Sequence, residues 1–197
     1  MAIIPGIYAS QISGHLITSN FFLISQVTPS GVGTVTFSSI PSTYKSLQIR
    51  MNSRDAYTGA YLGMYLQVSF NGDTSASNYA MHWLRGAVDT TIVASGYASG
   101  TYGSIHLNSA YGGTLGGVAA PAVSIVDILD YANTNKNKTV KALSGVNYND
   151  AYPTAATTSV AIGSGLWLST AAISSITLTG TGTGWVAGTT ISLYGLS

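Results

Sequence analysis

Ile173-Ser174-Ser175-Ile176-Thr177-Leu178-Thr179 and Ile191-Ser192-Leu193-Tyr194-Gly195 decide the class of fold. In the first, Ile176 and Leu178 alternate with Thr177 and Thr179; in the second, Ile191 and Leu193 alternate with Ser192 and Tyr194. A period of two belongs to strands with one buried face. Between them Gly180-Thr181-Gly182-Thr183-Gly184 supplies residues able to take positive φ in a loop, and Trp185 and Val186 bring the chain back apolar. Two strands therefore close the chain.

Working towards the N-terminus, the same signal recurs. Leu62, Met64, Leu66, Val68 and Phe70 alternate with polar, glycine or tyrosine positions over the cleanest strand of the sequence, which predicts a central strand with these five facing the core. Asn71-Gly72 follows at once, a turn signal because both residues tolerate positive φ, and Asp73 can bond nearby backbone amides. Leu47, Ile49 and Met51 make an earlier strand, and Val35 and Phe37 begin one before it. Tyr79 to Arg85, Thr101 to Ala110, Thr139 to Val146 and Thr157 to Trp167 read as further strands, with a strand-like Thr91-Ile92-Val93. Val123 to Leu129 is apolar at both parities, the pattern of a strand buried from both sides.

Composition agrees. Only 7% of the 197 residues are charged, with no glutamate, against roughly 25% charge in average soluble domains. Residues that favour exposed helices are nearly missing, while Thr, Val, Ile and Tyr abound. The expectation is an all-β chain: an antiparallel β-sandwich, jelly-roll-like, spanning residues 26–197, with a closed barrel as the competing architecture. Residues 1–25 read as an extended N-terminal arm, because Ile3, Ile4, Ile7, Tyr8, Ile12, Leu16, Phe21 and Phe22 are apolar without a regular period. So apolar a segment must bury its side chains, and these eight are the candidate partner-binding residues.

A net charge of +1 and the lack of a basic arm argue against nucleic acid as a partner. No uninterrupted apolar run reaches the roughly 20 residues of a membrane span, and no membrane partner is expected. Met1-Ala2-Ile3-Ile4-Pro5 lacks the basic opening of a secretory signal. With zero cysteines there are no disulfides and no thiolate metal sites. Low charge on a β-rich chain predicts assembly, since charged edges are the usual defence against strand addition between molecules.

Chemistry is hard to place. The six carboxylates are Asp55, Asp73, Asp89, Asp127, Asp130 and Asp150; only Asp127 and Asp130 are close, and in a strand they point to opposite faces. Asp127 reads as a structural acid with Arg50, Arg54 or Arg85 as partner. His15, His82 and His106 show no metal-ligand spacing, and no nucleophile elbow or phosphate loop is present. Asn71-Gly72-Asp73-Thr74 could lend oxygens to calcium, though a capped turn explains it more simply. Lys136, Lys138 and Lys141 read as a solvated basic turn. Trp83, Trp167 and Trp185 could stack sugars or fill a core. The reading is of no catalytic residues, no cofactor and no metal.

Six blocks, kept in order over nearly the whole chain, resemble a group of virion structural proteins of tailed phages. They are Ser10-Gln11-Ile12-Ser13-Gly14-His15-Leu16, Phe37-Ser38-Ser39-Ile40-Pro41-Ser42-Thr43-Tyr44-Lys45, Phe70-Asn71-Gly72-Asp73-Thr74 with Ser77-Asn78-Tyr79, Asp130 through Thr139, Gly165-Leu166-Trp167, and Ser192-Leu193-Tyr194-Gly195. The resemblance implies a non-enzymatic protein of a phage particle, assembled in the host cytoplasm. Within it, the favoured reading is a capsid decoration or cement protein bound to the major capsid protein; the alternative is a receptor- or glycan-binding tip of a tail or head fibre. A homo-oligomer is expected, a trimer by analogy with other jelly-roll virion proteins.

Overall fold

The computed structural model describes residues 20–54, 66–87, 92–107, 114–115, 118–119, 121–146, 158–180 and 184–197. Among them the chain forms fourteen strands, and its only helical element is a single 3-10 turn at Ala76–Asn78. In order the strands are β1 (Phe21–Val27), β2 (Thr34–Phe37), β3 (Ser46–Ser53), β4 (Leu66–Phe70), β5 (Tyr79–Ala87), β6 (Ile92–Tyr97), β7 (Ile105–Leu107), β8 (Thr114–Leu115), β9 (Val118–Ala119), β10 (Ala122–Leu129), β11 (Lys138–Val146), β12 (Thr158–Trp167), β13 (Ile176–Gly180) and β14 (Thr190–Leu196). Eight build a large antiparallel sheet in the order β1-β14-β3-β10-β11-β12-β5-β6, and four build a smaller one in the order β2-β13-β4-β7. Among the described residues β8 and β9 pair only with each other. The two main sheets pack face to face as a sandwich; among the described residues both keep free edges, so neither closes into a barrel.

Alternation decides what lies between the sheets. Leu47, Ile49 and Met51 of β3, Val126 and Ile128 of β10, Val140 of β11 and Ile191 and Leu193 of β14 point inward from the large sheet. Val35, Phe37, Leu66, Val68, Phe70, Ile176 and Leu178 meet them from the small one. Leu66, Val68 and Phe70 are fully buried on an interior strand, as their spacing predicts, while Leu62 and Met64 lie outside the described residues. The two closing strands form where expected but do not pair together, since β13 belongs to the small sheet and β14 to the large one. Gly165 lets β7 lie close under β12, because a Cβ there would overlap the Ile105 side chain.

One end of the sandwich is tied by polar side chains reaching backbone groups. Asn71 and Gly72 take positive φ, 53° and 69°, and the Asp73 amide closes the turn on the Phe70 carbonyl at 2.8 Å. From that turn Asn71 Nδ2 donates to the Ala172 carbonyl at 2.8 Å, and Oδ1 accepts from the Ser174 amide at 2.9 Å. Tyr79 and Tyr131 are fully buried, each phenol both donating to a carbonyl and accepting from an amide. Burial pushes the Tyr79 phenol up to about 12.

Three expectations need correction. The arm cannot extend to residue 25, because Phe21 already pairs with Leu196 as the first residue of the β1 edge strand; strand pairing satisfies backbone groups that a free arm would leave open. β10 is buried on one side only: Ala122, Ser124, Val126 and Ile128 face the core, whereas Val123, Ile125 and Leu129 face solvent. Lys138 is not a solvated turn residue. It shares the inward parity of Val140 and Ala142, is fully buried, and its ammonium donates to the carbonyls of Asn133 and Lys136 at 2.7 and 2.6 Å, and of Thr170 at 3.2 Å. Burial lowers its pKa, with the Asp130 carboxylate opposing.

Candidate functional site

The outer face of the large sheet is the unusual surface of this molecule. Strand register lays it out in rows: Ile125 of β10 stands beside Leu143 of β11, Leu143 beside Ile162 of β12, and Ile162 beside Leu84 of β5. The adjoining row holds Val123, Gly145, Val160 and Gly86 in the same strand order. These apolar residues are far from buried, with Val123 58%, Val160 56% and Leu143 51% exposed. Water is a poor neighbour for six such side chains standing together on a rigid sheet.

A polar row borders them. Gln48 of β3, Asp127 of β10, Lys141 of β11, Ser164 of β12 and His82 of β5 follow one another across the same face. Asp127 accepts from Gln48 Nε2 at 2.7 Å, and Gln48 Oε1 accepts from Arg50 Nε at 2.7 Å. Asp127 is thus held by an amide, and its link to Arg50, one of the three expected partners, runs through Gln48. A shallow hollow of about 430 Å³ opens between β11, β12 and β5, walled by His82, Leu84, Lys141, Ile162 and Ser164.

Of the candidate arm residues, Ile3, Ile4, Ile7, Tyr8, Ile12 and Leu16 lie outside the described residues. Phe21 and Phe22 sit on the β1 edge, 37% and 39% exposed. They diverge: the Arg50 guanidinium lies 4.5 Å above the Phe21 ring, and Phe22 stacks on Tyr44 at 5.9 Å. The two are therefore partly spent on their own subunit and belong to different sides of the strand.

The carboxylates do not converge among the described residues. Asp130 makes an exposed ion pair with Lys136 at 3.7 Å. Asp73 is engaged by Trp167 Nε1 at 2.7 Å, Asn78 Nδ2 at 2.8 Å and the Ser75 amide at 2.9 Å. Partial burial raises its pKa, but the bonds from Trp167, Ser75 and Asn78 outweigh that and the net shift is downward. These bonds make Asp73 a cap of the turn, and no cluster of three or more His, Asp or Glu is found among the described residues. Asp55, Asp89, Asp150 and His15 lie outside them. His82 is on the outer face; His106 is buried under Tyr102, at 4.1 Å between centroids, and burial lowers its pKa.

Trp83, Trp167 and Trp185 are all buried, so no tryptophan platform for sugars exists on the surface. The residues of the open face were visible in the sequence as apolar positions. Their exposure was not, because an apolar position reads as core unless the covering layer is known. No family model, curated protein or solved structure matches the chain.

Proposed function

We propose that the chain is a non-enzymatic structural protein of a phage virion, a decoration or cement protein that binds the major capsid protein and stabilises the head shell. The observation that carries this reading is the strand connectivity. Taken in chain order, β1, β2, β3, β4, β7, β10, β13 and β14 supply strands one to eight of a jelly roll. Strands one, eight, three and six then lie side by side in the large sheet, and two, seven, four and five in the small one. That order supports a double-sheet jelly roll, an architecture common in viral capsid domains. β5 with β6, and β11 with β12, are insertions that widen the large sheet.

The surface supports the same reading. Low charge and a broad apolar face suit a protein that spends its life covered by neighbours. The segment bearing Ile3, Ile4, Ile7, Tyr8, Ile12 and Leu16, continued by Phe21 and Phe22, is the attachment to the shell, for the same physical reason.

Locating the protein in intact particles by cryo-electron microscopy tests this. Density for the sandwich on the head lattice is the expected result. Density at the end of a fibre, with binding to host-surface glycan, would establish the fibre-tip alternative, and absence from purified particles would overturn both. Screening on envelope polysaccharide and peptidoglycan should give no turnover; activity lost in Asp127→Asn would make the protein an enzyme.

A further inference from the structure

We propose that the outer face of the large sheet is a self-association surface, on which a second copy of this chain stacks its own outer face across a two-fold axis. The inference concerns the chain itself and holds whatever particle it belongs to. Leu84, Val123, Ile125, Leu143, Val160 and Ile162 leave between 37 and 58% of their surfaces in water. Together they expose on the order of 500 Å², most of the apolar share of the roughly 800 Å² that each partner contributes to a standard stable interface.

The face is also compatible with itself. Two stacked sheets related by a two-fold axis must have that axis in the plane between them. Placed parallel to the strands and midway between β11 and β12, it lays Leu143 over Ile162 of the partner subunit and Ile125 over Leu84 of the partner subunit. In the bordering row Asp127 then meets the partner's His82, and Lys141 meets the partner's Ser164, so no like charges are brought together. Sheets in aligned packings accept such a contact with a rotation of about 30°. An isologous contact closes after two copies, which departs from the trimer expected by analogy.

The test is the mass of the full chain by sedimentation, with the Leu143→Asp/Ile162→Asp double variant beside it. Both side chains point into solvent, so the variant should keep its circular dichroism and melting point. Expected are a dimer of the parent at micromolar concentration and at least about a hundredfold weaker association in the variant, since facing carboxylates repel. If the aspartates disturb folding, Leu143→Thr/Ile162→Thr replaces them. A nitroxide on Thr139→Cys, the chain's one thiol, gives an independent measure. Facing sheets lie about 10 Å apart, so the two labels should be within about 20 Å of each other. A parent that stays monomeric to about 100 μM, a trimer, labels beyond about 40 Å, or association that survives both variants and is lost on deleting residues 1–19 would each overturn the proposal.

Discussion

The two sheets of the sandwich share one interior and have opposite exteriors. On β2, β4 and β13 of the small sheet the outward positions are Thr34, Thr36, Gln67, Ser69, Thr177 and Thr179, and the Thr36 and Thr177 hydroxyls meet across the strands at 3.1 Å. On the large sheet, over β10, β11, β12 and β5, two rows of the same kind of position hold Val, Ile, Leu and glycine, beside the polar row from Asp127 to His82. Both sets favour strands, so strand propensity does not explain the difference. Threonine meets that preference while offering water a hydroxyl, whereas isoleucine offers it nothing. Under the proposal above, the contrast separates a face left to solvent from one covered by a second copy, and the apolar face runs from β10 across β11, β12 and β5.

The largest expected effect tests the shared interior. Leu66→Ala empties a fully buried position on β4 and should cost about 2 to 5 kcal/mol in denaturant unfolding. A loss under about 1 kcal/mol would mean that the sheets do not meet over β4 as described. Next comes Lys138→Met, which leaves the carbonyls of Asn133, Lys136 and Thr170 without their donor and should cost about 2 to 3 kcal/mol. Lys141→Met, on the open face, should stay within about 0.5 kcal/mol. Equal effects from the two lysines would break the distinction between inward and outward parity on β11.

Asp73 ties the connection between β4 and β5 to Trp167 of β12, and so joins one sheet to the other. Asp73→Asn puts an amide donor against an existing donor and should cost about 1 to 2 kcal/mol at neutral pH. Because the folded pKa lies below the unfolded value, the carboxylate's contribution is complete above the ordinary 3.8 and fades as pH falls through the folded value. The gap between parent and variant should therefore be constant from pH 7 to about 5 and narrow below about 3.8; a gap independent of pH would show that the charge is irrelevant to the tie.

What could be read in advance was local. Leu66, Val68 and Phe70, or Ile176 and Leu178, reveal their facing because a two-residue period needs no knowledge of the rest of the chain. Asn71-Gly72 likewise announces its turn through backbone sterics alone. What failed depended on distant partners. Val123 to Leu129 looks buried on both sides because the sequence does not say whether anything covers the second side. Which strand joins which sheet was also out of reach, as β5 pairs with β12 some eighty positions away. Lys138 was readable after all, since counting back by twos from Val140 and Ala142 places it inward; its charge argued for solvent, and the waiting carbonyls were invisible.

The smallest expected effect on stability is the sharpest test of the two exteriors. Thr177→Val makes a solvent face more apolar, and Ile162→Thr makes the open face more polar. Each exchanges one β-branched residue for another on a half-exposed or exposed strand position, so both should leave the unfolding free energy of the isolated subunit within about 0.5 kcal/mol. They should separate in association. Ile162 lies at the centre of the apolar rows, where a hydroxyl gains water only while the face is uncovered, so Ile162→Thr should raise the concentration needed for pairing. Thr177→Val should not lower it, because the surrounding threonines and Ser69 keep that face hydrated. If Ile162→Thr instead destabilises the lone subunit by more than about 1 kcal/mol, Ile162 is packed within its own chain and the two exteriors are not different in kind.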